Sequence, residues 1–511
     1  MNRRTFLKNC ALTVGAASFS GCAGMTGPSD KPSSASDRPN IVYILADDLG
    51  YGDVSCMNKD SKIHTTNMDR LAAEGMIFTD AHAGAAVCTP TRYGILTGRY
   101  CWRSRLKKGG IWGDSPPVIE KDRMTVASML KPYGYHSACI GKWHLGWHWQ
   151  MKDDNPEQID FTKPIQQGPT TNGFDYSFCL PASLDIPPYV YVENDKVTAP
   201  PNRVVEGKTG KLLMREGPTG ADFVHKDVLP DLTEKAVTYI DQRSESNKPF
   251  FLYFALPAPH TPILPTEQFR GKSGTNEYGD FVLQVDHTVG QVMRALKRNG
   301  LKENTLFIFT SDNGCAPHVN FEELAEYGHD PSYLFRGHKA DIYEGGHRMP
   351  FIARWPKRVK AKTRCSDTTC LTDLMATAAD INGIDLPDSA AEDSVSMLPN
   401  LLRTATGPLR EATVHQSVNG SFSIRQGKWK LILCPGSGGW SPPRPGSPKI
   451  KDLPPVQLYD LSSDIDENEN LHAQHPEIVR RLTNLLQSYI DRGRSTPGQP
   501  QKNNGKVPIR P

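Results

Sequence analysis

An open α/β fold, built on a large mixed and mostly parallel sheet flanked by helices and followed by a smaller C-terminal antiparallel α+β domain, is what this sequence predicts. Apolar runs of six or seven residues recur without polar interruption, as strands buried on both faces do. Amphipathic helical segments lie between these runs, the alternation that builds a parallel sheet. Past residue 408 the strand signals become short and are separated by turn residues, the pattern of an antiparallel unit.

Taken in order, Asn40-Ile41-Val42-Tyr43-Ile44-Leu45-Ala46 is the first strand and ends in Asp47-Asp48-Leu49-Gly50. A capped helix over residues 66–75 sets Met68, Leu71 and Ala72 on one side and leads to the apolar Met76-Ile77-Phe78. A strand over 134–140 ends in Gly141-Lys142-Trp143-His144, one over 250–255 runs toward Pro259-His260-Thr261-Pro262, and one over 305–310 ends in Ser311-Asp312-Asn313-Gly314. Helices are predicted over 125–131, 232–243 and 281–299, the last stopped by Gly300. A helix over 372–382 closes the large unit. The small unit has strands over 412–415, 422–425, 429–433 and 457–461, a final helix over 475–491, and from Ser495 a tail expected to fray.

At 511 residues the chain exceeds what one core supports, so two domains are expected. Its 59 basic and 56 acidic residues leave a net charge of only +3, which gives no reason to expect nucleic acid as a partner. Arg3-Arg4-Thr5-Phe6-Leu7-Lys8 and the short apolar run after it read as a twin-arginine export signal, too short to span a bilayer. Ser20-Gly21-Cys22 is a candidate lipoprotein site, although Phe19 is poorly suited three residues before that cysteine. The expected location is exported, periplasmic or at the cell surface, with any membrane contact made through a lipid on Cys22. Eleven cysteines are ordinary after export, and their pairing is not legible.

The stretch that organises the chemistry is Cys88-Thr89-Pro90-Thr91-Arg92, followed by Leu96-Thr97-Gly98. Pro90 suits the first turn of a helix, so Cys88 should stand at a positive helix N-terminus with Arg92 one turn inside. A cysteine alone in that place is usually a small buried hydrophobe. The longer pattern resembles the signature of the type I sulfatases, whose cysteine a separate enzyme oxidises to Cα-formylglycine.

Four strand ends support one shared site: Asp47/Asp48, Lys142/His144, His260 and Asp312/Asn313. In open α/β sheets ligands gather outside the carboxyl ends of the strands. Any one of these alone reads as a turn or a solvated side chain. Together, Asp47, Asp48, Asp312 and Asn313 offer only oxygen ligands, a set that selects Ca2+ or Mg2+ over zinc. The resemblance extends from Asn40 to the last helix, through Gly141-Lys142-Trp143-His144, His260, Lys339 with Glu344-Gly345-Gly346-His347-Arg348, Gly427-Lys428-Trp429 and Leu458-Tyr459-Asp460.

That resemblance implies an alkaline phosphatase-like fold and a sulfuric ester hydrolase. It divides the chain into an export signal with the lipoprotein site (1–22), a spacer (23–38), a catalytic sulfatase domain (39–408), the small α+β domain (409–494) and a tail (495–511). It favours Ca2+ over Mg2+, held by Asp47, Asp48, Asp312, Asn313 and the oxidised Cys88. Arg92 and Lys142 would hold the formylglycine oxygens, His144 would orient or deprotonate its hydrate, His260 would protonate the leaving alcohol and Lys339 would clasp sulfate. The hydrate attacks sulfur, and its second hydroxyl then releases sulfate, an exit that a thiol or simple alcohol lacks.

The expected partners are a sulfated glycan substrate and a formylglycine-generating enzyme. Trp102, Arg103, Arg105, Lys107, Lys108 and Trp112, with Trp147, His148 and Trp149, are expected to form glycan subsites, against the plainer reading of a solvated charged face. Two alternatives stay open at this stage: phosphate mono- or diester hydrolysis, and an inactive glycan-binding protein should Cys88 remain a thiol.

Overall fold

The computed structural model describes residues 38–155 and 157–510. The export signal, Cys22 and the spacer before residue 38 lie outside them. The large sheet takes β1 (Asn40–Ala46), β2 (Met76–His82), β3 (His136–Lys142), β4 (Tyr176–Leu180), β5 (Val192–Glu193) and β6 (Lys196–Val197) from the first part of the chain. A separate hairpin of β7 (Pro201–Val205) and β8 (Gly217–Gly220) follows. β9 (Phe250–Ala255), β10 (Thr305–Ser311), β11 (Arg348–Arg354), β12 (Thr363–Cys365) and β13 (Thr369–Cys370) complete the large sheet. In space the order is β12-β2-β11-β10-β1-β9-β3-β4-β5-β6, with β13 beside β2.

The central strands β10, β1, β9, β3 and β4 are mutually parallel, while β11 is antiparallel to β10. All their C-terminal ends therefore open on one edge. Alternation along β1 shows why the run is apolar throughout: Ile41, Tyr43 and Leu45 enter one core, and Val42, Ile44 and Ala46 enter the other. Helices 88–97, 126–130 and 374–382 cover the first face, and helices 66–73, 228–244 and 277–298 cover the second. The longest helix, Glu277–Arg298, starts where the Asn276 side chain accepts from the Tyr278 N–H and is followed by Gly300 at φ 69°.

β1, β9 and β10 begin at the residues the sequence marks. β3 runs two residues beyond its expected end, so Lys142 is its last residue rather than part of the following loop. Gly141 is required inside it: φ is 106°, and a Cβ there would lie 1.9 Å from the Ala255 carbonyl oxygen. β4 through β8 and β11 were not expected. β4 through β8 are short and lie at one end of the sheet or in the separate hairpin, whereas β11, seven residues between β10 and β2, follows directly on a segment whose residues carry a motif rather than an apolar run.

The small domain is the antiparallel meander β14 (Thr413–Gln416), β15 (Phe422–Gln426), β16 (Trp429–Ile432) and β17 (Gln457–Asp460). Helix Pro476–Asp491 covers it through Leu482, Leu486, Tyr489 and Ile490, and Tyr100 and Trp102 of the large domain join the same core. The turn after β14 also braces the loop around Cys88: Ala86 donates to the Gln416 carbonyl at 2.8 Å, Gly109 to that of Val418 at 2.9 Å, and Val418 to that of Ala340 at 3.0 Å. The tail does not fray. Arg99 donates to the Lys502 carbonyl at 2.8 Å, Arg103 to Asn503 Oδ1 at 3.1 Å, and Asn504 N–H to the Arg103 carbonyl at 2.7 Å. Buried arginines need such acceptors, and the tail's polar composition supplies them. Among the described residues the nine cysteines are all free thiols.

Candidate active site

Cys88 is the first residue of helix Cys88–Thr97, entered from extended Val87 and ended by Gly98 in the left-handed region. Every residue of this helix is buried, so its N-terminus faces a protein-lined site. Cys88 Sγ lies 3.3 Å from His144 Nδ1. His144 Nε2 donates to the Ile111 carbonyl at 2.8 Å, which fixes the tautomer and turns the Nδ1 lone pair toward Cys88. Burial, then Lys142 and Arg92, hold the His144 pKa well below the usual imidazole range. The ring is neutral. Burial likewise pushes the Cys88 thiol up, despite Lys142 and Lys339.

Beneath Cys88 the strand ends meet. Asp47 N–H donates to the Ala258 carbonyl at 3.0 Å and Asp312 N–H to the Ala46 carbonyl at 3.1 Å, tying the end of β1 to the loop after β9 and to the turn after β10. Asp48 sits at φ 64° and His144 at φ 52°, conformations costly for non-glycine residues and held here by surrounding bonds. Lys142 Nζ grips both oxygens of Asp47 at 3.0 and 2.8 Å. Arg92 donates to Asp312 Oδ2 through Nε and Nη2 at 3.0 and 2.7 Å, and to the Lys142 carbonyl at 2.9 Å. Lys339 Nζ donates to Asp48 Oδ2 at 2.7 Å and to His260 Nε2 at 3.0 Å. His260 Nδ1 donates to the Thr261 carbonyl at 2.8 Å.

Three carboxylates are thus matched by Arg92, Lys142 and Lys339, all buried. Burial raises Asp47, but Lys142, His260 and Arg92 outweigh it and hold its carboxyl well below the usual range. Burial and the neighbouring Asp47 raise Asp312 to about 6. For Lys339, burial pulls downward while Asp48, Cys88 and Asp47 raise it further, so it stays charged. Asn313 Nδ2 donates to Asp48 Oδ1 at 2.7 Å, and its Oδ1 is buried with no protein partner. An orphaned amide oxygen beside three carboxylates fits a hard cation. Asp47, Asp48 and His260 also place ligand atoms within 4.8 Å of one another.

All the residues singled out from the sequence meet here, but Arg92 and Lys142 face carboxylates rather than standing free beside Cys88. The expected glycan subsites fare differently. Arg103 is buried in a two-point pair with Asp393, at 2.8 and 2.9 Å, and Trp102, Trp147 and Trp149 are packed in the cores. A guanidinium under two domains and indoles among aromatic neighbours hold the fold rather than a ligand. Arg105 donates to the Pro116 and Pro117 carbonyls, and of the tryptophans only Trp112, 54% exposed, faces solvent. Ser183, Asp185 and Arg215 complete the site and were missed. Asp185 follows β4 as Asp48 follows β1, so reading Tyr176-Ser177-Phe178-Cys179-Leu180 as a strand would have found it.

The Sulfatase family model matches residues 39–384. The chain is 37% identical to an N-acetylgalactosamine-6-O-sulfatase of Bacteroides thetaiotaomicron over 495 residues, covering 89% of this chain and 93% of that one. It is 32% identical to human arylsulfatase A over 475 residues, 89% and 88% of the two chains. A solved Bacteroides thetaiotaomicron 6S-sulfatase, described with a locus for glycosaminoglycan metabolism, superposes with a TM-score of 0.78 at 36% identity, covering 88% of this chain and 99% of that one. The strand ends converge beneath Cys88, and on these similarities the chain belongs to the Sulfatase family and is a sulfatase.

Proposed function

We propose that this sulfatase removes 6-O-sulfate from N-acetylgalactosamine residues of a sulfated glycan, after a maturation enzyme has converted Cys88 to formylglycine. The observation that carries the proposal is Cys88 facing the lone pair of a neutral His144 at 3.3 Å, in a pocket where Lys142 and Lys339 gather positive charge. The sugar follows from similarity to the N-acetylgalactosamine-6-O-sulfatase. Arg3-Arg4 and the run after it support export to the periplasm or cell surface.

Asp47, Asp48, Asp312 and Asn313 would hold Ca2+, which supplies a Lewis acid. Formylglycine supplies paired hydroxyls, one to attack sulfur and one to let sulfate leave. His144 takes a proton at Nδ1, its Nε2 proton remaining on the Ile111 carbonyl. Lys339, fixed against Asp48, meets sulfate oxygens with a charge that burial strengthens. His260, once protonated at Nε2, passes that proton to the departing alcohol oxygen.

Sulfate release from 6-O-sulfated N-acetylgalactosamine, its 4-O-sulfated isomer, an aryl sulfate and the matching aryl phosphate tests the reading. Preferred release from the 6-O-ester is the expected result, and phosphate turnover at or above the sulfate rate contradicts it.

A further inference from the structure

Asp185 lies on the loop after β4, 5% exposed, beside the catalytic cluster. Its two carboxylate oxygens differ. Oδ2 accepts from Arg215 Nη1 at 2.5 Å, whereas Oδ1 is buried with no hydrogen-bond partner. The nearest donor candidate, His260 Nδ1, stands 3.8 Å away, and its proton already goes to the Thr261 carbonyl at 2.8 Å. Burial raises the Asp185 pKa, but His260 and Arg215 outweigh that and lower it below the usual range. A buried carboxylate oxygen without a donor is costly unless a ligand brings one.

The surroundings point to the ligand. His260 presents Nε2 to Lys339, the proposed sulfate clasp, and Nδ1 to the Asp185 side, so one imidazole ring separates the two. Arg215, carried on the segment between β7 and β8, lies with its guanidinium 4.9 Å from the ring centre of exposed Trp112. Acceptor, donor and aromatic face together fit a sugar ring rather than a second anion, which the Asp185 charge would repel.

We propose that Asp185 and Arg215 form a hydroxyl-reading pair that accepts a free hydroxyl on the carbon next to the sulfated arm of the sugar, with Trp112 as the platform. This rests on the glycan reading above. For a 6-O-sulfated hexosamine the hydroxyl is the one on C4: it donates to Asp185 Oδ1 and accepts from Arg215. Both residues act on binding and specificity, not on the sulfur.

The test compares wild type, Asp185→Ala, Asp185→Asn and Arg215→Met on 6-O-sulfated N-acetylgalactosamine, its 4,6-disulfated counterpart and an aryl sulfate, with thermal melts of each variant. One lost hydrogen bond to a charged group corresponds to roughly a 10- to 100-fold fall in kcat/KM. In Asp185→Ala that fall should be carried by KM on the glycan, exceed the loss on aryl sulfate at least ~10-fold, and be partly rescued in Asp185→Asn, which keeps an acceptor oxygen. Wild type should reject the disulfated sugar, and Asp185→Asn should narrow that discrimination. Equal losses on both substrates, with a shifted acid limb of the pH profile, would instead make Asp185 a positioning residue for His260 and overturn the proposal. So would unaltered discrimination in Arg215→Met with an intact melt. Wild type that cleaves aryl sulfate but no sulfated saccharide sinks the glycan reading, and this pair with it, a result read before any variant.

Discussion

Lys339 shows how little a residue's type says about its work. Its Nζ bridges Asp48 and His260, a point contact that a guanidinium cannot reproduce in the same space. Lys339→Arg is therefore predicted to lose activity nearly as fully as Lys339→Ala, about 10²- to 10³-fold in kcat on aryl sulfate, and Lys339→Ala is also predicted to lower the melting temperature, because it leaves buried Asp48 unpaired. His144→Ala is predicted to lose about 10²- to 10⁴-fold in kcat at every pH, because the variant lacks the proton acceptor altogether. Asp47, Asp48, Lys142, His144, Asp312 and Asn313 were legible because each ends or directly follows a strand that reads as one, whereas Cys88, Arg92 and Lys339 were legible only through their motifs. Asp185 and Arg215 were not: β4 is short, and Arg215 sits on a hairpin segment without a hydrophobic pattern. Arg103 misled for the opposite reason, since a charged residue near the nucleophile looks like a ligand contact until its buried partner Asp393 is known.

Elements matter through the few places where the backbone allows no side chain. Gly141 lies directly before Lys142 in β3, at φ 106° against the Ala255 carbonyl. Gly141→Ala is predicted to destabilise by at least ~1–3 kcal/mol and to displace Lys142, so activity should fall even where the fold survives. A normal melt with full activity would show that β3 relaxes freely. The central strands were readable because burial on both faces forces an uninterrupted apolar run. β5 through β8 lack that constraint, being short, and the hairpin has exposed residues. The C-terminal tail was misread because polar composition marks both frayed ends and segments that satisfy buried arginines. Truncation after Arg494 is predicted to lower the melting temperature by removing the acceptors of Arg99 and Arg103.

Across the whole molecule, the seam between the two domains is polar and titratable. His82, His347 and His415 are fully buried there, and burial lowers all three. One ring nitrogen of each lies within 4.8 Å of the others, but the His347 and His415 rings stack in parallel, 3.9 Å apart, which sets the in-plane lone pairs of those two side by side rather than aimed at one point. Folded pKa values lie below unfolded ones, so the unfolded chain takes up more protons as pH falls below about 6.5, and each histidine then costs up to about 1.4 kcal/mol per pH unit. Glu467 and Asp312, raised to about 7 and about 6 chiefly by burial, work in the opposite direction, while His144, lowered by burial, adds to the side of the three histidines. Stability is predicted to decline from pH 6.5 toward 5. A melt profile flat across that window would contradict this.

The account turns on Cys88 being remade. The most direct measurement is the mass of the Cys88-containing peptide in preparations made with and without a formylglycine-generating enzyme, set beside sulfate release by the same samples. Activity should rise in proportion to the converted fraction and vanish in Cys88→Ala. Full sulfate release from protein whose Cys88 is entirely thiol, or from Cys88→Ala, would contradict it.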